Sequence, residues 1–337
     1  MKNMKKLCFL LLFFLSQIGC KKTLLGDETP NTPIDNFDAF WQGMDENYVG
    51  FAARPALNWD SIYQVYRPKI TTTTTNNDLF NYFKAMMLPF RDQHFVLRNP
   101  ATYYQFSDTF NHQFLGLDAV RGYLTMPLKG NKIVQYAPIG NVGYVYISDF
   151  NGQNPASYYE LIDTIVTTFK DQTGLIIDIR DNSGGSETYG KTIASRFTDQ
   201  TRTYSYNRFK KGKKRDDLSD FQANSFASKG NTPFLKPVLL LTNRAVASSA
   251  EDFALMMRSI PSVKLVGDNT AGLIYTRPIT RQLPNGWVYW CSVSLLHDGN
   301  KNVLTNGIEP DFRVSISTAD SIARKDKVLE KAIDLLK

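Results

Sequence analysis

Ser248 follows the apolar run Pro237 to Thr242 and precedes Ser249-Ala250-Glu251, so it stands where a strand gives way to a helix. A hydroxyl at that point meets unpaired backbone N–H groups and the positive end of a helix dipole, which favours a nucleophile and a developing oxyanion in one place. Ser-x-x-Glu is also the pattern of a capping box, which requires no chemistry. Earlier in the chain the apolar strand Gly174 to Arg180 breaks into Asp181-Asn182-Ser183-Gly184-Gly185. Glycine permits close backbone approach, so a Gly184 or Gly185 N–H together with that of Ser249 would form an oxyanion hole. Asp178, Arg180 and Asn182 read as groups that fix this turn rather than react. A serine hydroxyl needs a base, and the candidates are the three histidines, His94, His112 and His297. No clustered Cys/His ligand set is present, so neither a metal nor an organic cofactor is expected.

Read in order, these segments resemble the C-terminal-processing (tail-specific) serine peptidases, within them the branch of the tricorn core and the interphotoreceptor retinoid-binding protein modules. Asp92-Gln93-His94, Gly267-Asp268-Asn269-Thr270-Ala271-Gly272 and Gly307-Ile308-Glu309-Pro310-Asp311 match further family signatures, and the resemblance runs from about residue 37 to 336. It implies that Ser248 is the nucleophile and that His94 is its base. The lysine-type branch places its base at the position of Leu273, whose alkyl chain takes no proton. Lys264 lies in an apparent strand and Arg277 stays protonated, so the chain uses Ser-His chemistry or none. For a third triad member the resemblance points nearest to Glu309, with Thr305 as the alternative register and Asp92 as a local rival.

The elements that would position these groups follow from periodicity. Phe37, Phe40, Trp41, Met44 and Tyr48 recur at helical spacing after a potential cap, Asn36. Leu79, Phe80, Phe83, Met86, Met87 and Phe90 repeat the pattern, and both stripes read as core. Residues 101–150 are strand-rich, ending in Val142 to Ile147. Helix near 155–170, strand 174–180, helix near 187–197, strand 237–242, helix 249–259 and strand 263–267 then alternate, which predicts a mainly parallel sheet covered by helices. Pro284-Asn285-Gly286 marks a hairpin, and Val328, Leu329, Ala332, Ile333 and Leu336 a closing amphipathic helix. The fold class is therefore α/β. The resemblance implies a Clp protease/crotonase-like sheet, with a small helical N-terminal domain at 36–100 ahead of a peptidase core at 101–337. Many relatives carry a PDZ domain, but the interval from 101 to about 140 is shorter than the roughly 50 residues an independent domain needs, so none is expected.

Residues 1–19 read as a secretory signal: Lys2, Lys5 and Lys6 precede Leu7 to Leu15, an apolar stretch too short to span a bilayer. Ser16-Gln17-Ile18-Gly19-Cys20 resembles a bacterial lipoprotein box with Cys20 as the lipidated residue, and residues 20–35 would be the tether. The expected location is the cell envelope, lipid-anchored, with the outer membrane favoured because Lys21 is not a retention aspartate. Cys8 and Cys20 are thereby accounted for, and Cys291 alone cannot form an internal disulfide. The formal charge of +7 includes three lysines of the signal and is too modest to argue for nucleic acid. Lys210-Lys211-Gly212-Lys213-Lys214-Arg215 reads as a solvated turn beside Asp216 and Asp217, with an anionic surface or acidic substrate as the alternative.

The sequence thus predicts a serine endopeptidase acting outside the cytoplasm on peptides or unfolded chain ends. A catalytically degenerate relative binding a hydrophobic ligand or peptide is the alternative, and an acyl-CoA enzyme of crotonase type a more distant one.

Overall fold

The computed structural model describes residues 30–106, 114–151, 155–230, 232–272 and 275–337. Four helices come first: α1 (Pro33–Asn47), α2 (Gly50–Ala53), α3 (Trp59–Tyr66) and α4 (Asn76–Met87). β1 (Val96–Arg98), β2 (Tyr103–Gln105), a short helix α5 (Leu117–Val120), β3 (Lys129–Gly130), β4 (Val134–Ile139) and β5 (Val142–Ile147) follow. Next come α6 (Pro155–Thr168), β6 (Gly174–Asp178), α7 (Glu187–Ala194), β7 (Arg202–Phe209), β8 (Gln222–Phe226), β9 (Val238–Thr242), α8 (Ser249–Arg258) and β10 (Val263–Gly267). The chain closes with β11 (Tyr275–Gln282), β12 (Val288–Asp298), β13 (Phe312–Arg313), α9 (Thr318–Ile322) and α10 (Lys327–Leu335).

β6 and β9 are buried along their whole length and β5 at every residue but the partly buried Tyr146, the pattern of strands covered on both faces. They sit in a sheet of order β13-β10-β9-β6-β5-β4-β3, parallel from β13 to β5 and antiparallel at β4 and β3. One face packs on Ile162, Ile165, Ile193, Phe253 and Met257 from α6, α7 and α8, the other on Val328, Leu329 and Ala332 from α10. Among the strands, β6, β9 and β10 are neighbours running the same way, so the loops leaving their carboxyl ends emerge side by side. Those loops carry Gly184, Ser248 and Gly272.

A second, antiparallel sheet of order β2-β1-β12-β7-β8, with β11 also paired to β12, was not separable from the first in the sequence. Its β11–β12 hairpin turns through Pro284-Asn285-Gly286 as expected, closed by the Leu283 N–H to Trp287 O bond at 2.8 Å. Among the described residues, the stretch between the helical region and the parallel core holds β1, β2, α5 and β3, with no PDZ domain. Helices α1–α4 share one aromatic core with this hairpin. Phe37, Phe40, Phe83 and Phe90 pack with Leu283, Trp287, Tyr289 and Cys291, and the Phe40 and Phe83 rings stack at 4.2 Å. Burial pushes the free Cys291 thiol up to about 12.

Two local expectations are corrected. Thr32, not Asn36, caps α1: its Oγ1 accepts from Asp35 N at 3.2 Å and its N–H donates to Asp35 Oδ2 at 3.0 Å. Pro33 at the first helical position lacks the N–H that would otherwise want a partner there. Asn36 is buried inside the helix, where its Oδ1 accepts from Asn285 N at 2.8 Å. The basic run is not a free solvated turn. Arg215 bonds Asp45 at 2.5 Å and Asp60 at 2.6 Å, and Lys213 bonds Glu46 at 3.1 Å, so the loop clasps the helical region.

Candidate active site

Ser248 caps α8, yet its side chain makes no capping bond. Its backbone has φ 55° and ψ −128°, a conformation that costs a non-glycine residue about 1–3 kcal/mol and persists only where the surroundings enforce it. Glu251 does not complete a capping box either. Its Oε1 accepts from Thr270 Oγ1 at 2.6 Å and from Gly272 N at 2.8 Å, tying the β10 loop to the first turn of α8. Thr270 Oγ1 in turn accepts from Ile308 N at 2.7 Å. The hydroxyl of Ser248 is thereby left at a helix N-terminus with no structural role in its cap.

The enforcing contacts come from both sides. Ala247 N donates to Asn182 O at 3.1 Å and Ala271 N to Val246 O at 2.9 Å. Asn243 Nδ2 donates to Asp181 Oδ1 at 2.7 Å, while Asp181 N donates back to Asn243 Oδ1 at 3.1 Å. Asn182 Nδ2 also holds Ile147 O at 3.1 Å. The glycine turn therefore lies directly against the serine. A Cβ on Gly184 would meet Ser248 Cβ at 2.9 Å and Ser249 N at 3.0 Å, and one on Gly185 would meet Phe150 O at 2.4 Å.

The two glycines are not equivalent as donors. Gly184 N donates to Asn182 Oδ1 at 2.9 Å. Among the described residues the amides of Gly185 and Ser249 make no such bond. Ser249 Oγ is buried without a partner among those residues, so that residue offers its N–H and not its hydroxyl.

Asp178 and Arg180 do not hold the glycine turn; they fasten the closing helix. Arg180 is fully buried and bidentate to Asp178, at 2.9 and 2.6 Å, and to Asp326, at 2.9 and 2.8 Å. Asp326 caps α10 through Leu329 N at 3.0 Å, and Tyr144 donates to Asp178 at 2.9 Å. Loss of one partner from such a buried pair typically costs 3–5 kcal/mol.

His94 sits in a short turn between two anchors of the aromatic core, Phe90 and Phe95. The turn is pinned by His94 N donating to buried Asp92 Oδ1 at 2.8 Å and by Gln105 Nε2 donating to Gln93 O at 2.6 Å. Burial raises the Asp92 carboxyl above the ordinary carboxylate range, with His94 opposing. Gln93 lines a cavity of about 370 Å³ together with Gly272 and Thr305. The structure thus brings the His94 turn to the loop that Glu251 ties to α8. His297 lies elsewhere, buried in β12 with its ring 5.0 Å from Phe221, and burial lowers its pKa. His112, Leu273 and Cys20 lie outside the described residues.

Glu309 is not brought into this group. It is exposed, and its carbonyl accepts from Arg258 Nη1 at 3.0 Å, at the last residue of α8 and away from Ser248. Thr305, the other register, is the one that lines the cavity with Gln93.

Comparison with known proteins fixes the family. The profile of peptidase family S41 matches residues 141–314, just over half of the chain. The chain belongs to peptidase family S41. The profile of the tricorn protease C1 domain matches residues 31–87, the helical region. A carboxy-terminal processing protease, CtpA of Bacillus subtilis, is 26% identical over 132 residues, which are 39% of this chain and 26% of that protein's length. A solved structure of a candidate peptidase from Parabacteroides merdae is 32% identical, covers 91% of this chain and 97% of its own, and superposes with a TM-score of 0.83. Mature CPAF, 13% identical, shares the fold with a TM-score of 0.64 over 91% of this chain and 96% of its own.

Proposed function

We propose that the protein is a serine endopeptidase cleaving peptides or unfolded chains by acyl-enzyme chemistry. The observation that carries this reading is Ser248 itself: a strained, non-capping serine packed against a glycine turn whose Gly185 amide makes no backbone hydrogen bond among the described residues. Ser248 Oγ attacks the scissile carbonyl while His94 takes the hydroxyl proton. The Gly185 and Ser249 amides receive the oxyanion of the tetrahedral intermediate. His94 returns the proton to the leaving amine, and water then hydrolyses the acyl-enzyme with His94 again as base. Thr305 is better placed than Glu309 to orient His94, which makes the centre a Ser-His pair supported by a neutral group. The family membership and the relative of C-terminal-processing type support the substrate class.

Cleavage of an unfolded protein tests this directly. Ser248→Ala should abolish it while leaving the fold intact, since no capping bond is lost, and Ser249→Ala should retain most of it. Equal loss in both, or none in Ser248→Ala, would contradict the assignment.

The same reading places the enzyme in the cell envelope, tethered through lipidated Cys20. Cys20→Ala should then move it from the membrane to the soluble fraction, and unchanged partitioning would remove the anchor from the account.

A further inference from the structure

The second sheet has two unlike faces. Along β12, Tyr289 and Cys291 enter the aromatic core of α1–α4 and Leu295 packs with Val49, while the alternate residues from Val288 to Leu296 line the opposite face. That face is covered at one end and open at the other. Leu296 joins the core that holds Ala250 and Phe253 of α8, and Ser292 and Ser294 are fully buried. Trp290, about 20 Å back along the strand from Leu296, is 43% exposed. The register sets Gln105, Val96 and Trp290 side by side in one row, and Tyr103, Arg98 and Val288 in the next. Tyr103 is 69% exposed, whereas both valines are partly buried. The open end is thus a platform of two exposed aromatic rings over valines, with Arg98 the one charged residue in the two rows. It adjoins the candidate site on both sides. β1 begins two residues after His94, and Gln105 Nε2 donates to Gln93 O at 2.6 Å, while the other end of the same face packs under the helix that follows Ser248. β2 is also an edge strand, paired among the described residues with β1 alone, so its outer edge can take a further extended segment.

We propose that this platform is an exosite, which holds an apolar stretch of the unfolded substrate in extended form away from the scissile bond. Tryptophan and tyrosine dominate the binding energy of protein surfaces because they bring large apolar area at little conformational cost. The proposal rests on the peptidase reading and adds what grips the rest of the chain while Ser248 cuts one bond. A second copy of the protein seated on the platform would lie against the His94 turn and obstruct the approach to the site, so the substrate is the occupant that the position favours.

Reduced, carboxymethylated α-lactalbumin, a chain that cannot refold, tests this through its affinity for the full-length Ser248→Ala protein, without requiring turnover. Trp290→Ser together with Tyr103→Ser in that background should weaken binding about ten-fold or more, the scale of losing aromatic anchors. Ile322→Ser, at an 81% exposed position on α9 outside the platform, should leave the affinity unchanged. In the active protein Trp290→Ser should raise KM for the same chain without lowering kcat, since the ring would touch the substrate equally before and during reaction. Unchanged affinity in the double variant overturns the proposal. So does an equal loss in Ile322→Ser, because any exposed apolar residue would then serve. Sedimentation showing a dimer of Ser248→Ala that Trp290→Ser dissociates would give the platform to a second copy, which also overturns it. If Trp290→Ser fails to fold, Tyr103→Ser at the sheet edge decides alone. A wild type that cleaves the chain while the platform variants bind it at full affinity keeps the peptidase reading and removes this one. A wild type that binds through the platform and cleaves nothing does the reverse.

Discussion

Ser248 is available for chemistry because other residues do the work that its position would otherwise demand of it. Ala250 N donates to Ala247 O in the first turn, and Glu251 is committed to Thr270 and Gly272, so the Ser-x-x-Glu pattern that reads as a cap is used as a tertiary tie. Local sequence cannot separate those readings, because the deciding partners lie some twenty residues on, in a loop after β10. The proposed base follows from the same logic. His297 is locked into β12 by its own packing, whereas the His94 turn faces the cavity. His94→Ala should therefore lower kcat/KM by at least about 10³-fold, the scale of losing a general base, and His297→Ala should leave it within a few-fold. Glu309→Gln should also change it little, because that side chain is exposed and its carbonyl sits beside Arg258. A loss in Glu309→Gln as large as in His94→Ala, measured on one peptide, would restore the carboxylate triad.

At the scale of elements, α8 concentrates negative charge behind its reactive end. Burial and the carboxylates of Glu187 and Glu251 push Asp252 up to about 7, with Lys191 opposing. Glu187 is itself held by Tyr204 Oη at 2.5 Å and Lys191 at 2.7 Å, so the group joins α7, α8 and β7. The native pKa lies above the unfolded value of about 4, so between them the folded state binds a proton that the unfolded chain has released. This group's contribution to stability is therefore full below about pH 4 and is lost as pH rises towards 7. Asp252→Asn cannot ionise, and its Tm relative to wild type should rise steadily over that interval. A Tm difference independent of pH would mean that Asp252 is already ionised in the fold. Elements themselves were legible where one face or one run was apolar: β10 spans the residues expected, and α8, β9 and the closing helix fall within a residue or two of them. The N-cap of α1 was misplaced because Asn36 and Thr32 are both good caps, and only the packing of Asn36 against Asn285 separates them.

Across the whole molecule, the loops of the parallel sheet carry Ser248 and the amides proposed as its oxyanion donors, while the second sheet and the helices carry the histidine turn. That division was invisible in the sequence. β1 and β12 pair across nearly two hundred residues, β7 and β8 carry polar as well as apolar positions, and the aromatic core joins segments from both ends of the chain. The motifs themselves were readable because a glycine turn and a helix-opening serine are local. What they assemble into depends on long-range ties such as Arg215 to Asp45 and Asp60, Arg180 to Asp326, and Asn182 to Ala247 in the loop before α8, none of which has a periodicity to betray it. The claim that these ties converge on an activated serine is open to one direct measurement. A fluorophosphonate probe reacts with a hydroxyl only when a base and an oxyanion site act on it together. Incubated with the folded protein and mapped by peptide mass spectrometry, it should modify Ser248, leave Ser249 untouched, and fail to label either Ser248→Ala or His94→Ala. Absence of any adduct on a folded wild type, or an adduct at Ser248 that persists undiminished in His94→Ala, would contradict the account.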